Sequence, residues 1–207
     1  METSSTVQKP ALDEDTLRLA RQVFQCVREG DLASLQPLFD HGFPPNLRNE
    51  SGDSLLMLAA YHGHHELVRS LLRAGADPEV ANDRGQTPLA GAAFKGYVEV
   101  VRALLRAGAD PEVANDRGQT PLAGAAYKGY VEVVRALLDG GAQVDGHGED
   151  GRTALMVAAM FNRVEVMELL ADRGADLRHR DASGTSAREA AQRMGAEDAA
   201  NWLRERG

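Results

Sequence analysis

Residues 82–96 read Asn82-Asp83-Arg84-Gly85-Gln86-Thr87-Pro88-Leu89-Ala90-Gly91-Ala92-Ala93-Phe94-Lys95-Gly96. The first four are turn chemistry, because Asn and Asp side chains bond to nearby backbone and Gly tolerates φ > 0. Thr87 then offers a side-chain oxygen to the orphan N–H groups of a helix start. Pro88 falls at the first helical position, where its missing N–H costs nothing. Leu89, Ala92 and Ala93, followed by Val98, Val101, Leu104 and Leu105, set one apolar stripe on each of two short helices. Gly96 lies between the stripes, where a left-handed turn fits. The spacing predicts one unit: projecting hairpin tip, helix, turn, helix.

That unit recurs along the chain. Gly30, Gly63, Gly96, Gly129 and Gly195 are spaced by 33 or a multiple of it, with Asn162 in the one vacant slot. Two further ladders, one from Gly42 to Gly207 and one from Gly52 to Gly184, keep the same step. Such regularity defines a linear array in which each unit buries its apolar face only against its neighbours. One domain is expected over residues 12–207. It divides into an N-terminal cap (about 12–48), repeats at 49–81, 82–114, 115–147 and 148–180, and a C-terminal cap (181–207). Residues 1–11 are expected to be a disordered tail. In the last unit Ser186, Ala187 and Arg188 replace Thr-Pro-Leu, and Glu197 and Arg204 take apolar slots, while Trp202 and Leu203 keep the inward side apolar. The first unit should begin a longer helix near Asp13 to Asp15, and Pro37 should bend or shorten its second helix.

Gly85-Gln86-Thr87-Pro88-Leu89, Ala92-Ala93, Gly96, Leu104-Leu105 and Gly108-Ala109-Asp110 together resemble the ankyrin repeat signature. The resemblance covers nearly the whole chain from about Asp15. It implies an all-α solenoid of about six helix-turn-helix units with short β-hairpin tips, and a concave face built from tips and first helices. One departure concerns the His that usually follows the Leu of Thr-Pro-Leu. Here Met57, Ala90, Ala123 and Met156 hold that slot, so apolar contacts or nothing should replace the hydrogen bonds it gives.

Composition narrows the function. Of the 207 residues, 43% are hydrophobic and ten are aromatic, so the core must be Ala, Leu and Val. A net charge of −8 argues against a surface that tracks phosphates, so no nucleic acid is expected as partner. No apolar run approaches the roughly 18 residues a membrane span needs, and the amino terminus lacks a secretory pattern. With the single cysteine, Cys26, this points to a reducing, cytoplasmic setting and no membrane partner. Lysine occurs only as Lys9, Lys95 and Lys128 among 23 basic residues, the bias of a GC-rich bacterial genome.

Chemistry-bearing patterns are scarce. Cys26 aligns with Ala59, Ala92, Ala125 and Ala158, a small core slot, and is expected to be buried and inert. His62, His64 and His65 cluster without a fourth ligand, which favours surface or capping roles over a metal. Asp77, Glu79 and Asp83, recurring as Asp110, Glu112 and Asp116, lack the spacing of a calcium loop and read as solvated turn residues. No phosphate loop or Ser/His/Asp constellation appears. The expectation is a non-enzyme without cofactor or metal.

A surface remains. The family's contact slots, carried across position by position, fall on Tyr61 and His62, then on Arg84, Phe94 and Lys95. One step on they fall on Arg117, Tyr127 and Lys128, and then on Arg152, Met160 and Phe161. Tyr61, Phe94, Tyr127 and Met160 would line up along the concavity, flanked by cations, which is the composition of protein-binding hot spots. The equally open alternative is that these rings simply cover helix ends. Gly91 and Gly124 inside first helices suggest either a shallow central pocket walled by Leu58 and Val157 or closer helix approach. Finally, Leu71–Leu105 and Leu104–Leu138 match at every position except Phe94 against Tyr127. The function expected is therefore a monomeric protein-interaction module for an unidentified protein. The alternative is an engineered repeat-insertion array, without a selected partner, serving as a model of repeat-protein folding.

Overall fold

The computed structural model describes residues 14–206. The described residues form twelve helices: α1 (Glu14–Glu29), α2 (Leu32–Asp40), α3 (Leu55–His62), α4 (His65–Arg73), α5 (Pro88–Lys95) and α6 (Val98–Arg106), continuing with α7 (Pro121–Lys128), α8 (Val131–Asp139), α9 (Ala154–Met160), α10 (Val164–Asp172), α11 (Ala187–Arg193) and α12 (Glu197–Arg206). Odd-numbered helices pack on one another in one layer, even-numbered helices in a second, and each pair packs internally. The tail expected at 1–11 and the last glycine, Gly207, lie outside the described residues.

Each helix starts where its cap dictates. Thr87 accepts a hydrogen bond from Ala90 N at 3.2 Å, and Thr120 does the same for Ala123 N. Ser54 caps α3, and Ser186 forms a capping box with Glu189. Between the layers runs a continuous strip of aliphatic side chains: Leu55, Leu89, Leu122 and Leu155 on first helices, and Leu71, Leu104, Leu137 and Leu170 on second helices, all at most 1% exposed. Fully burying each contributes about 1.5–3 kcal/mol, enough to hold helices of eight or nine residues that would melt alone.

The turn glycines meet two demands at once. Gly96 has φ +86°, and a Cβ there would also collide with the ring of Tyr130 from the next repeat. Asn162 occupies the equivalent slot with φ 57°. The residue that would cover it is the small Ala196, so its side chain fits. It also takes up a new task, accepting from Ala199 N at 2.9 Å and donating to Asp198 at 2.9 Å, thereby capping α12.

Several expectations need correction. The hairpin tips carry no strand among the described residues, only isolated antiparallel bridges at Arg48–Ser54 and Arg180–Ser186. Backbone and side chain close the turn together: Asn82 N donates to Gln86 O at 3.0 Å, and Asn82 Oδ1 accepts from Arg84 N and Gln86 N, each at 3.1 Å. Pro37 does not shorten α2, which keeps the nine residues of α4. Cys26 is half-buried rather than buried, because no earlier repeat among the described residues covers it. Burial pushes its thiol pKa up, helped by Asp31 and Glu29, away from a reactive thiolate. The repeated acids are not merely solvated. Glu79 accepts from Asp110 N and Glu112 from Gln143 N, both at 2.9 Å, and so they tie each repeat to the next.

Candidate partner-binding groove

The hairpins stack through single backbone rungs. Asp83 N donates to Ser51 O at 3.3 Å, Asp116 N to Arg84 O at 3.2 Å, and Ala182 N to Asp150 O at 3.0 Å. The equivalent rung between Arg117 and Glu149 is not made. There Gly148 packs onto the Gly118 backbone so closely that a Cβ would collide with its carbonyl. The ladder thus holds the tips as a wall, facing the C-terminal ends of the first helices.

Between wall and helix ends lie two hollows. The larger, about 560 Å³, brings together Tyr61, His62, Arg84, Phe94 and Arg117, floored by Met57, Leu58, Ala90 and Gly124. The smaller, about 320 Å³, joins Arg117, Tyr127, Arg152, Met160 and Phe161 over Ala123 and Val157. The single pocket imagined between Leu58 and Val157 is therefore divided, with Arg117 on the boundary. Closer packing accounts for Gly91, which is buried and whose Cβ would sit 3.1 Å from Met57 Cε. Gly124 is different: it lies open on the groove floor, with Phe94 as its sole neighbour, at 3.9 Å.

Several of the rings form a run. Phe94 and Tyr127 lie parallel at 6.2 Å between centroids, and Tyr127 meets Phe161 edge-on at 4.4 Å, so Phe161 extends the run of rings, with Met160 lining the hollow beside it. Tyr61 pairs edge-on with its neighbour His62 at 5.6 Å. Lys95 and Lys128 lie over rings rather than lining the hollows. Lys95 Nζ is 5.0 Å from the Tyr61 centroid, and Lys128 Nζ is 4.6 Å from Phe94 and 5.6 Å from Tyr127. His62 has its pKa held down by burial, with His64, Lys95 and Arg28 adding to the effect, so it stays neutral near physiological pH. His64 instead bonds Arg28 O at 2.8 Å, and His65 sits 3.3 Å from Glu66.

Sequence reasoning missed Asn82 and Asn115 as groove-lining groups. Their recurrence in the Asn-Asp-Arg-Gly turn was the available signal. Among the described residues, no group of three or more His, Cys, Asp or Glu could hold a metal ion. Likewise, no helix among them is long and apolar enough to cross a membrane.

A family model described as ankyrin repeats (3 copies) matches residues 23–115, 104–181 and 147–207. The chain belongs to the ankyrin-repeat family, whose members generally act as protein-interaction modules and are typically not enzymes. It is 51% identical over 61 residues to "Putative ankyrin repeat protein PA3287" of Pseudomonas aeruginosa, covering 30% of this chain and 36% of that protein. It is 42% identical over 59 residues to "Ankyrin repeat domain-containing protein 29" of Danio rerio, covering 28% of this chain and 20% of that one. The chain thus spans about a third or less of the curated relatives it matches.

Proposed function

We propose that this chain is a non-catalytic module that binds a partner protein along the groove between hairpin tips and first-helix ends, using Tyr61, His62, Arg84, Phe94, Lys95, Arg117, Tyr127, Lys128, Arg152, Met160 and Phe161. The carrying observation is the half-buried ring run from Phe94 through Tyr127 to Phe161 beside a hollow of about 560 Å³. Rings held in place by the stack lose little entropy on docking, so modest contacts give useful affinity. The reading includes one domain over 12–207, with caps at 12–48 and 181–207. It also places the chain as a monomer in a bacterial cytoplasm, with no nucleic-acid or membrane partner.

Replacing Tyr61, Phe94 and Tyr127 together by Ala tests this. The wild-type chain should capture a protein from lysate that the triple variant loses, by more than about tenfold, while the melting temperature falls by only a few degrees. A partner retained by the variant would remove the groove as its site. The second reading, an engineered array without a selected partner, is favoured by the identity of Leu71–Leu105 and Leu104–Leu138 at every position but one. Consistent failure to capture anything would favour it.

A further inference from the structure

We infer that the occupant of the groove is an extended acidic segment of the partner, an inference that rests on the groove reading above. Two of its carboxylates, three residues apart, would meet Arg84 and Arg117, and an apolar side chain between them would lie over Ala90 and Gly124.

Charge on this face runs against that of the chain. The protein carries a net charge of −8, yet Arg84 and Arg117 line the groove, and both described lysines, Lys95 and Lys128, lie over its rings Tyr61 and Phe94. Both arginines are exposed and hold no ion pair. Several acids on the same face are already engaged. Asp83 pairs with Arg48 at 3.2 Å, and Asp53 accepts from the amides of Asn82 at 2.8 Å and Asn49 at 3.2 Å. Asp150 lies 3.8 Å and Asp181 3.7 Å from Arg152, so that arginine is neutralised while Arg84 and Arg117 are not. Asp116 is the groove-lining carboxylate without such a contact.

The aromatic faces give an independent reason. They are occupied by the chain's own ammonium groups, with Lys128 over Phe94 and Lys95 over Tyr61. A cationic side chain from a partner would find the faces taken and meet repulsion. A carboxylate would find ammonium hydrogens to accept from. Spacing supports an extended form: adjacent repeats lie about a helix-packing distance apart, roughly 8–10 Å. A polyproline-type segment returns to the same face every three residues after about 9 Å.

The test is selection from a phage-displayed library of random dodecapeptides on the full chain, followed by affinity measurement on a synthetic copy of the best peptide. The expected peptide carries two acidic residues three apart around an apolar one. Its affinity should fall about tenfold or more in the double variant R84E/R117E and several-fold in R84Q/R117Q, and should rise about twofold in D116N. Thermal melts of the three variants should match the parent. Peptides that depend on Phe94 and Tyr127 but carry no acids, or that bind R84E/R117E undiminished, would overturn the acidic occupant and leave the groove reading standing. A library yielding no groove-dependent peptide would overturn both.

Discussion

Residues 71–105 and 104–138 differ at one position, yet the structure does not treat them alike. Asn82 is 9% exposed, and its amide reaches back to Asp53 at 2.8 Å. Asn115, its twin, faces Gln86 in the slot of Asp53 and closes only its own turn. Asp83 meets Arg48, whereas Asp116 finds Ala81 in the corresponding place. Gly91 is covered by Met57, but Gly124 is left open because the preceding repeat offers Ala90 instead. In a linear stack a residue's environment is set by the unit before it as much as by its own repeat. The groove floor is a product of that asymmetry.

Removing one copy would break the comparison outright. Deleting residues 105–137 leaves both outer junctions with their present partners and eliminates only the junction of copy on copy. At about 0.05–0.15 kcal/mol per residue, the loss should be roughly 2–5 kcal/mol, with a folded, shorter solenoid remaining. Circular dichroism and a urea titration check this, and an unfolded product would show that the copies depend on each other beyond nearest-neighbour terms.

The two asparagines should separate next. Each closes its hairpin through two backbone N–H groups, but Asn82 adds the link to Asp53 while itself buried. Asn82→Ala should therefore cost about 2 kcal/mol and Asn115→Ala about 1, since a buried lost partner is the more costly. Equal losses in urea midpoints would mean that the contact between hairpins contributes nothing.

Gly91→Ala and Gly124→Ala should differ in size. At Gly124 the added methyl meets Phe94 at an ordinary 3.9 Å, so the helix gains about 1 kcal/mol from propensity alone. At Gly91 the same gain is offset, because Met57 Cε at 3.1 Å must give way, and the net change should be close to zero. Gly124→Ala also raises the groove floor. Thermal melts read the first effect and peptide affinity the second.

These contrasts mark what a sequence reading reaches. The solenoid was legible because period, Thr caps and turn glycines act within one repeat, and each is a local choice. Asn162 is the exception among those slots, and its fitness depends on Ala196, a residue 34 positions on that no local rule brings to it. The candidate groove residues could be aligned by register, but not the division at Arg117, nor the missing rung at Glu149. Both depend on how two hairpins of different sequence approach, where Gly148 replaces the turn asparagine. Cys26 was misjudged for the same reason: alignment with buried alanines assumes a preceding neighbour, and no earlier repeat stands before it among the described residues.

The one sequence difference between the copies gives the smallest expected change in stability. Phe94 and Tyr127 stack with their planes 6° apart, and Lys128 lies over both. The Tyr127 ring is half-buried, but its hydroxyl makes no hydrogen bond among the described residues, so nothing in the described fold depends on that oxygen. Tyr127→Phe should shift the unfolding free energy by less than about 0.5 kcal/mol and leave the packing against Phe161 intact. Any larger effect must then come from outside the fold. A partner that bonds the hydroxyl would lose affinity for Tyr127→Phe at an unchanged melting temperature. A partner that uses only the ring would bind both forms alike, which turns the single difference between the copies into a probe of the contact each one makes.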